Sequence, residues 1–137
     1  MGSNPTPGTP VRKEVSVYDA VGGMAFFDAL TRHFYDGVAS DPVVLSVYPT
    51  PDDLEPARRH LALFFAQYWG GPNDYDDLRG PPRLRMRHFP FAIGAEQRNR
   101  WLFHMQEALD AMDPAPAVRE QLMEYFRMAA EALRNRD

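Results

Sequence analysis

The sequence predicts an all-α fold, and three observations carry that reading. Apolar residues recur at spacings of three and four through its long segments, the mark of helices with one buried face. The 13 prolines fall almost wholly between those segments, where they break helices without kinking them. No β-rich alternating run competes for a strand.

The elements follow in order. Ser16 is a candidate N-cap for a short helix over Val17 to Val21, which Gly22-Gly23 interrupts. From Met24 to Val38 an apolar face is set by Phe27, Leu30, Phe34 and Val38, and Asp41-Pro42 ends it. A short apolar stretch, Val43 to Val47, leads into the turn Tyr48-Pro49-Thr50-Pro51. Asp52 or Asp53 can cap the next helix, whose buried face is marked by Leu54, Ala57, Leu61, Phe64, Phe65 and Tyr68. Gly70-Gly71-Pro72 stops that helix, and Asn73 to Pro82 reads as a polar loop. Leu84 and His88, four apart, share one face of a short helix. Ala95 to Met112 carries Trp101, Leu102, Met105, Leu109 and Met112 on one side. After the break at Asp113-Pro114-Ala115-Pro116, a last helix is striped by Val118, Leu122, Tyr125, Phe126, Ala129 and Leu133.

Composition narrows the function classes. The 137 residues suit one domain. Residues 1–14 read as a disordered N-terminal tail rich in Gly, Ser, Thr and Pro, and residues 15–137 as the domain itself. With 45% hydrophobic and 12% aromatic residues, a core can form with room for a flat ligand. A net charge of −4 argues against nucleic acid as the main partner. The absence of cysteine removes disulfides, thiolate-held cofactors, Fe–S clusters and Cys-based zinc sites. No apolar run approaches the roughly 18 to 20 residues of a membrane span, and Met1 to Thr9 lacks the regions of a secretory leader. A cytoplasmic protein is expected.

The stretch Met86-Arg87-His88-Phe89-Pro90-Phe91 concentrates the chemistry, with Arg83, Arg85 and Arg87 alternating into His88. A b-type haem needs one neutral imidazole for iron, cations for its two propionates and an apolar slot. On this segment alone, a surface histidine beside arginines is the plainer reading. His33, His60 and His104 each flank a buried stripe, one position off its centre, and read as boundary histidines with hydrogen bonds of their own. His88 differs: its segment is short, basic and bounded by prolines, so something other than helix propensity must organise it. An iron–imidazole bond would do so. Tyr35, Tyr48 and Trp101 are large rings suited to a core. Each also carries an O–H or N–H that needs a partner once buried. Core packing and convergence on one polar ligand both stand.

A run of motifs adds a resemblance. Tyr18-Asp19-Ala20-Val21-Gly22-Gly23 is followed by Phe34-Tyr35, Val47-Tyr48-Pro49 and Gln67-Tyr68-Trp69-Gly70-Gly71-Pro72. Pro82-Arg83-Leu84-Arg85-Met86-Arg87-His88 comes next, and Trp101 stands 13 residues after that histidine. In this order and spacing, from Val15 to Arg134, the chain resembles a truncated haemoglobin of group II. The resemblance implies a truncated two-over-two globin helical sandwich around haem b. It makes His88 the proximal iron ligand and puts Tyr35, Tyr48 and Trp101 on the distal side, facing bound gas. Ala57 falls where longer globins often place a distal histidine, so that helix offers no donor there. Leu61 and Phe64 would pack on the distal face or edge of the ring, with Met86 also lining the cofactor. Arg83, Arg87 and His60 are the implied propionate partners. The glycine pairs at 22–23 and 70–71 match the family's helix-end hinges.

That fold hosts oxygen storage, sensing, NO dioxygenation and peroxidase-like chemistry, so fold alone does not choose. Distal donors favour a tightly held, polarised dioxygen. Tight holding suits redox chemistry better than delivery. The expected function is therefore tight dioxygen binding for NO or peroxide detoxification, with NO dioxygenase or peroxidase-like turnover. The alternative is an oxygen carrier or gas sensor without turnover. Expected partners are dioxygen and other diatomic ligands and a reductase, with no nucleic acid and no membrane span. A homodimer stays open.

Overall fold

Ser16 caps the first helix as predicted: its Oγ accepts the Asp19 N–H at 3.1 Å and opens α1 (Val17–Ala20). Gly22 and Gly23 follow at φ 95° and 85°, a left-handed turn that favours glycine, and α2 (Met24–Ala39) begins. The computed structural model describes residues 15–81, 83–88 and 91–136, without the side chains of Arg85 and Met86. The predicted tail, residues 1–14, lies outside the described residues, as does Met86 as a lining side chain. No strand occurs among the described residues.

Along α2 the predicted stripe of Phe27, Leu30, Phe34 and Val38 is wholly buried. The apolar stretch after it forms one turn, α3 (Pro42–Leu45), capped by Asp41, whose Oδ1 accepts the Val43 N–H at 3.1 Å. In α4 (Glu55–Tyr68), Asp53 serves the helix start by accepting the Glu55 N–H at 3.3 Å. Phe64 and Phe65 are buried there as predicted, but Tyr68 is 51% exposed. It is the last residue of the helix, and its ring overlies Tyr125 at the surface.

The predicted polar loop contains a helix, α5 (Asp74–Arg79). Three acidic residues in its first turn and Arg79 in its last complement the helix dipole, and buried Tyr75 anchors it. Then come α6 (Leu84–His88), α7 (Ala95–Met112) and α8 (Pro116–Leu133).

The helices pack as two pairs. α2 lies against α4, α7 lies against α8, and α2 packs across α7 to join the layers. Phe27, Phe34, Met105, Leu109, Leu122 and Phe126 fill the space between. α5 leans on α4 and α6 on α8. α1 is strapped to the end of α4, where the Tyr18 N–H donates to the Trp69 carbonyl at 3.0 Å. Glycine is required for that approach: a Cβ on Gly71 would stand 2.6 Å from the Tyr18 ring and 2.8 Å from the Ala66 carbonyl.

Candidate functional site

His88 ends α6 half-buried. Its Nδ1 lies 2.7 Å from the Leu84 carbonyl, one turn back. A carbonyl only accepts, so Nδ1 carries a proton, and Nε2 is the nitrogen left to offer a lone pair to a metal. Nε2 has no hydrogen-bond partner among the described residues. That is the donor arrangement of a metal-binding imidazole whose second nitrogen is fixed by the protein. No three His, Asp or Glu side chains gather as a chelate among the described residues. One imidazole therefore fits an iron whose other positions are filled by a macrocycle.

Asn135 secures the exit of this short helix. Its Nδ2 donates to the carbonyls of Phe91 at 2.9 Å and His88 at 3.3 Å, and its Oδ1 accepts the Ile93 N–H at 2.9 Å. Sequence reasoning missed this residue, which stands 47 positions from His88 in a polar C-terminal segment.

Basic side chains from three elements, the imidazole of His60 and the guanidinium groups of Arg79 and Arg87, meet beside α6. Arg79 Nη1 donates to His60 Nδ1 at 3.0 Å. Arg87 Nη2 donates to the Arg79 carbonyl at 2.7 Å and the Pro81 carbonyl at 3.3 Å. Burial first, then the charges of Arg79, Arg59 and Arg87, hold the His60 imidazole below its ordinary pKa. His60 is thus neutral, with Nδ1 accepting and Nε2–H left as a donor. The group suits carboxylates. Arg79 was not foreseen, because its segment read as a loop; the acidic first turn before it was the available signal. Arg83 stands apart. It begins the α6 turn at φ 44°, accepts the Arg87 N–H on its carbonyl at 3.0 Å, and keeps its side chain exposed.

Tyr35 from α2 and Tyr48 after α3 meet edge to face, 5.6 Å between ring centroids. Tyr35 is buried; Tyr48 exposes part of its ring while its hydroxyl is enclosed. Burial chiefly pushes both phenols up, Tyr48 to about 12 and Tyr35 well above its ordinary value, and the hydroxyls interact, raising Tyr35 and lowering Tyr48. Neither hydroxyl has another hydrogen-bond partner among the described residues. Trp101 joins through Phe34, which touches Trp101 at 5.3 Å and Tyr35 at 4.9 Å. The Trp101 indole does not meet the tyrosines directly. From α4, Leu61 and Ala57 are half-buried against the core, and Phe64 is buried against Tyr75 at 5.4 Å. His88 and the tyrosine pair make no contact with each other among the described residues.

His104 is not the boundary histidine its spacing suggested. It is buried, and its Nε2 bonds Asp41 Oδ2 at 2.6 Å, an oxygen that also accepts from Arg100 Nε at 2.8 Å. Those two bonds hold the Asp41 carboxyl at about 2. His33 is exposed and takes no part.

Residues 16–135 match the family model described as bacterial-like globin. The group 2 truncated hemoglobin YjbI of Bacillus subtilis (strain 168) is 35% identical over 118 residues, covering 86% of this chain and 87% of that protein. The X-ray structure of a thermostable hemoglobin from Thermobifida fusca is 52% identical, with a TM-score of 0.85 over 88% of this chain and 98% of the other. A truncated oxygen-avid haemoglobin from Bacillus subtilis is 34% identical, with a TM-score of 0.82 over 88% of this chain and 100% of that one.

Proposed function

Because the chain belongs to the bacterial-like globins, in their group II two-on-two branch, and members of that family bind haem and diatomic gases such as oxygen, we propose that it carries haem b on His88 and holds dioxygen tightly for NO or peroxide detoxification. One observation carries the reading: two enclosed tyrosine hydroxyls face each other with no other partner.

Haem, when bound, supplies the iron at which a diatomic gas is taken up and oxidised or reduced. His88 orients itself for that iron through its Nδ1 proton on Leu84. Arg79, Arg87 and the Nε2–H of neutral His60 offer charge and donors to the propionates, and Arg83 stands one turn before Arg87 as a further cation. Met86 belongs to the proposed lining. Ala57, Leu61 and Phe64 are apolar, so they exclude water and leave polar recognition to Tyr35, Tyr48 and Trp101. Both tyrosines stay protonated near neutral pH, since burial pushes their phenols up. They therefore remain donors. A polarised dioxygen accepts such protons far more strongly than a neutral gas does. Tight holding favours chemistry over release, in keeping with the oxygen-avid Bacillus subtilis relative.

The test has two parts. The purified chain is expected to show a Soret band and slow dioxygen release. With a reductase and NO it is expected to form nitrate over many turnovers, or with peroxide to oxidise a donor dye. Slow release without either turnover would leave a gas carrier or sensor.

A further inference from the structure

Aromatic rings run in contact from the tyrosine pair to the surface. Tyr35 reaches Trp101 through Phe34, in steps of 4.9 and 5.3 Å. Trp101 and Trp69 share Phe126, at 6.0 and 5.8 Å. Trp69 touches both Tyr68 and Tyr125 at 5.0 Å. Those two tyrosines overlie each other at 4.3 Å with a tilt of 37°, the closest ring pair among the described residues. One end of this path is enclosed and the other, Tyr68, is 51% exposed.

Phenol and indole are readily oxidised by one electron; phenyl is not, but it fills the space between them. The chain has no cysteine to take up oxidising equivalents. Trp101 and Trp69 are therefore stations, and Phe34 and Phe126 are bridges. The path ends where a phenol can lose its proton to water. Burial pushes the Tyr125 phenol up to about 12, and exposed Tyr68 is the ring of the pair that water reaches.

We propose that Tyr68 and Tyr125 are the exit of an oxidation path from the gas pocket and become joined as a dityrosine when peroxide is turned over without an external reductant. The inference rests on the haem reading above. The balance closes: one hydrogen peroxide becomes two waters. It takes one electron and one proton from each of the two phenols. The two phenoxyl radicals couple between ortho carbons, and each ring returns its ortho hydrogen to oxygen. The chain loses the mass of two hydrogen atoms.

The haem-loaded full chain is treated with stoichiometric hydrogen peroxide, then digested and mapped by mass spectrometry. A linked peptide pair holding residues 68 and 125, two hydrogens light and within one molecule, is the expected result. Tyr68→Phe, at a half-exposed ring, should lose the link and keep wild-type haem uptake. Trp69→Phe should weaken the link with peroxide. It should leave the link intact when a photoexcited ruthenium polypyridyl with persulfate oxidises the surface directly. Linking by photo-oxidation but not by peroxide overturns the path and leaves the haem reading standing. Linking by neither overturns the pair as a coupling site, and the rings are then core packing that reaches the surface. A chain that takes up no haem overturns the parent reading and the path with it.

Discussion

The Tyr35–Tyr48 pair allows a prediction that separates two ways of holding gas. The two hydroxyls interact with each other; when one donates to the other, one proton lies between them and one remains for a ligand. Removing either hydroxyl frees the other to donate. A single Tyr35→Phe or Tyr48→Phe change should therefore lose only part of a bond, about 0.5–1.5 kcal/mol, or roughly two- to tenfold in dioxygen off-rate. The double variant has no such substitute. It should lose the full charge-assisted bond, about 1.5–3 kcal/mol, or roughly ten- to a hundredfold. Both changes nearly keep the apolar volume, so repacking should add little. Stopped-flow displacement of dioxygen by carbon monoxide reads the rates, with carbon monoxide release as the less polar control. Single effects that simply multiply into the double would mean independent donors and refute the shared proton. Equal acceleration of both gases would make the rings gates, and no acceleration would leave them as packing.

Other consequences are checked more simply. His88→Ala should abolish stable haem retention or leave a site rescued by imidazole, whereas His33→Ala, His60→Ala and His104→Ala should each keep the Soret band in an absorption spectrum. Arg87→Glu removes the bonds to the Arg79 and Pro81 carbonyls and reverses a charge beside His60, so haem transfer to a scavenger globin should quicken, most at low salt. Arg83→Glu should do less, since its side chain is exposed. Gly37→Ala gains about 1 kcal/mol of helix propensity, but its Cβ would lie 2.4 Å from His104 Nδ1. Overpacking of about 1–3 kcal/mol wins, and a melting curve should shift down by several degrees. The Asp41 carboxyl is held at about 2 against an ordinary 3.8, so its stabilisation is present above about pH 4 and fades as pH falls toward 2. In urea titrations, Asp41→Asn should be less stable than wild type near neutrality, with the difference closing over that range.

The long helices were legible because a buried face repeats every three or four residues, and α2, α4, α7 and α8 each bury one. The short ones were not. α5 has four charges in six residues and no apolar period. It folds because Tyr75 reaches the core and its charges suit the dipole. Tyr68 kept the period of α4 yet lies outside the core, since the helix ends beneath it. The candidate site split the same way. Local motifs singled out His88, Tyr35, Tyr48 and Trp101 as its candidate residues. Arg79, Asn135 and the burial of His104 were not legible, because each depends on a partner distant in sequence: His60, His88 and Asp41, at separations of 19, 47 and 63 residues.

Asp41 shows how such a distant partner bears on the proposed pocket. Its Oδ1 caps α3, and the chain leaving α3 delivers Tyr48. Its Oδ2 binds Arg100 and His104, which bracket Trp101 on α7. One carboxylate thus fixes the approach of two donors from separate elements, while Gly37 lets His104 sit against α2, the helix that carries Tyr35. An all-helical pocket has no sheet to hold its polar groups in register. Short charge-assisted bonds at the helix junction supply that register. In the proposed pocket Tyr35, Tyr48 and Trp101 can then stay apolar at the face and polar only at the tip, as tight recognition of a small polarised gas demands.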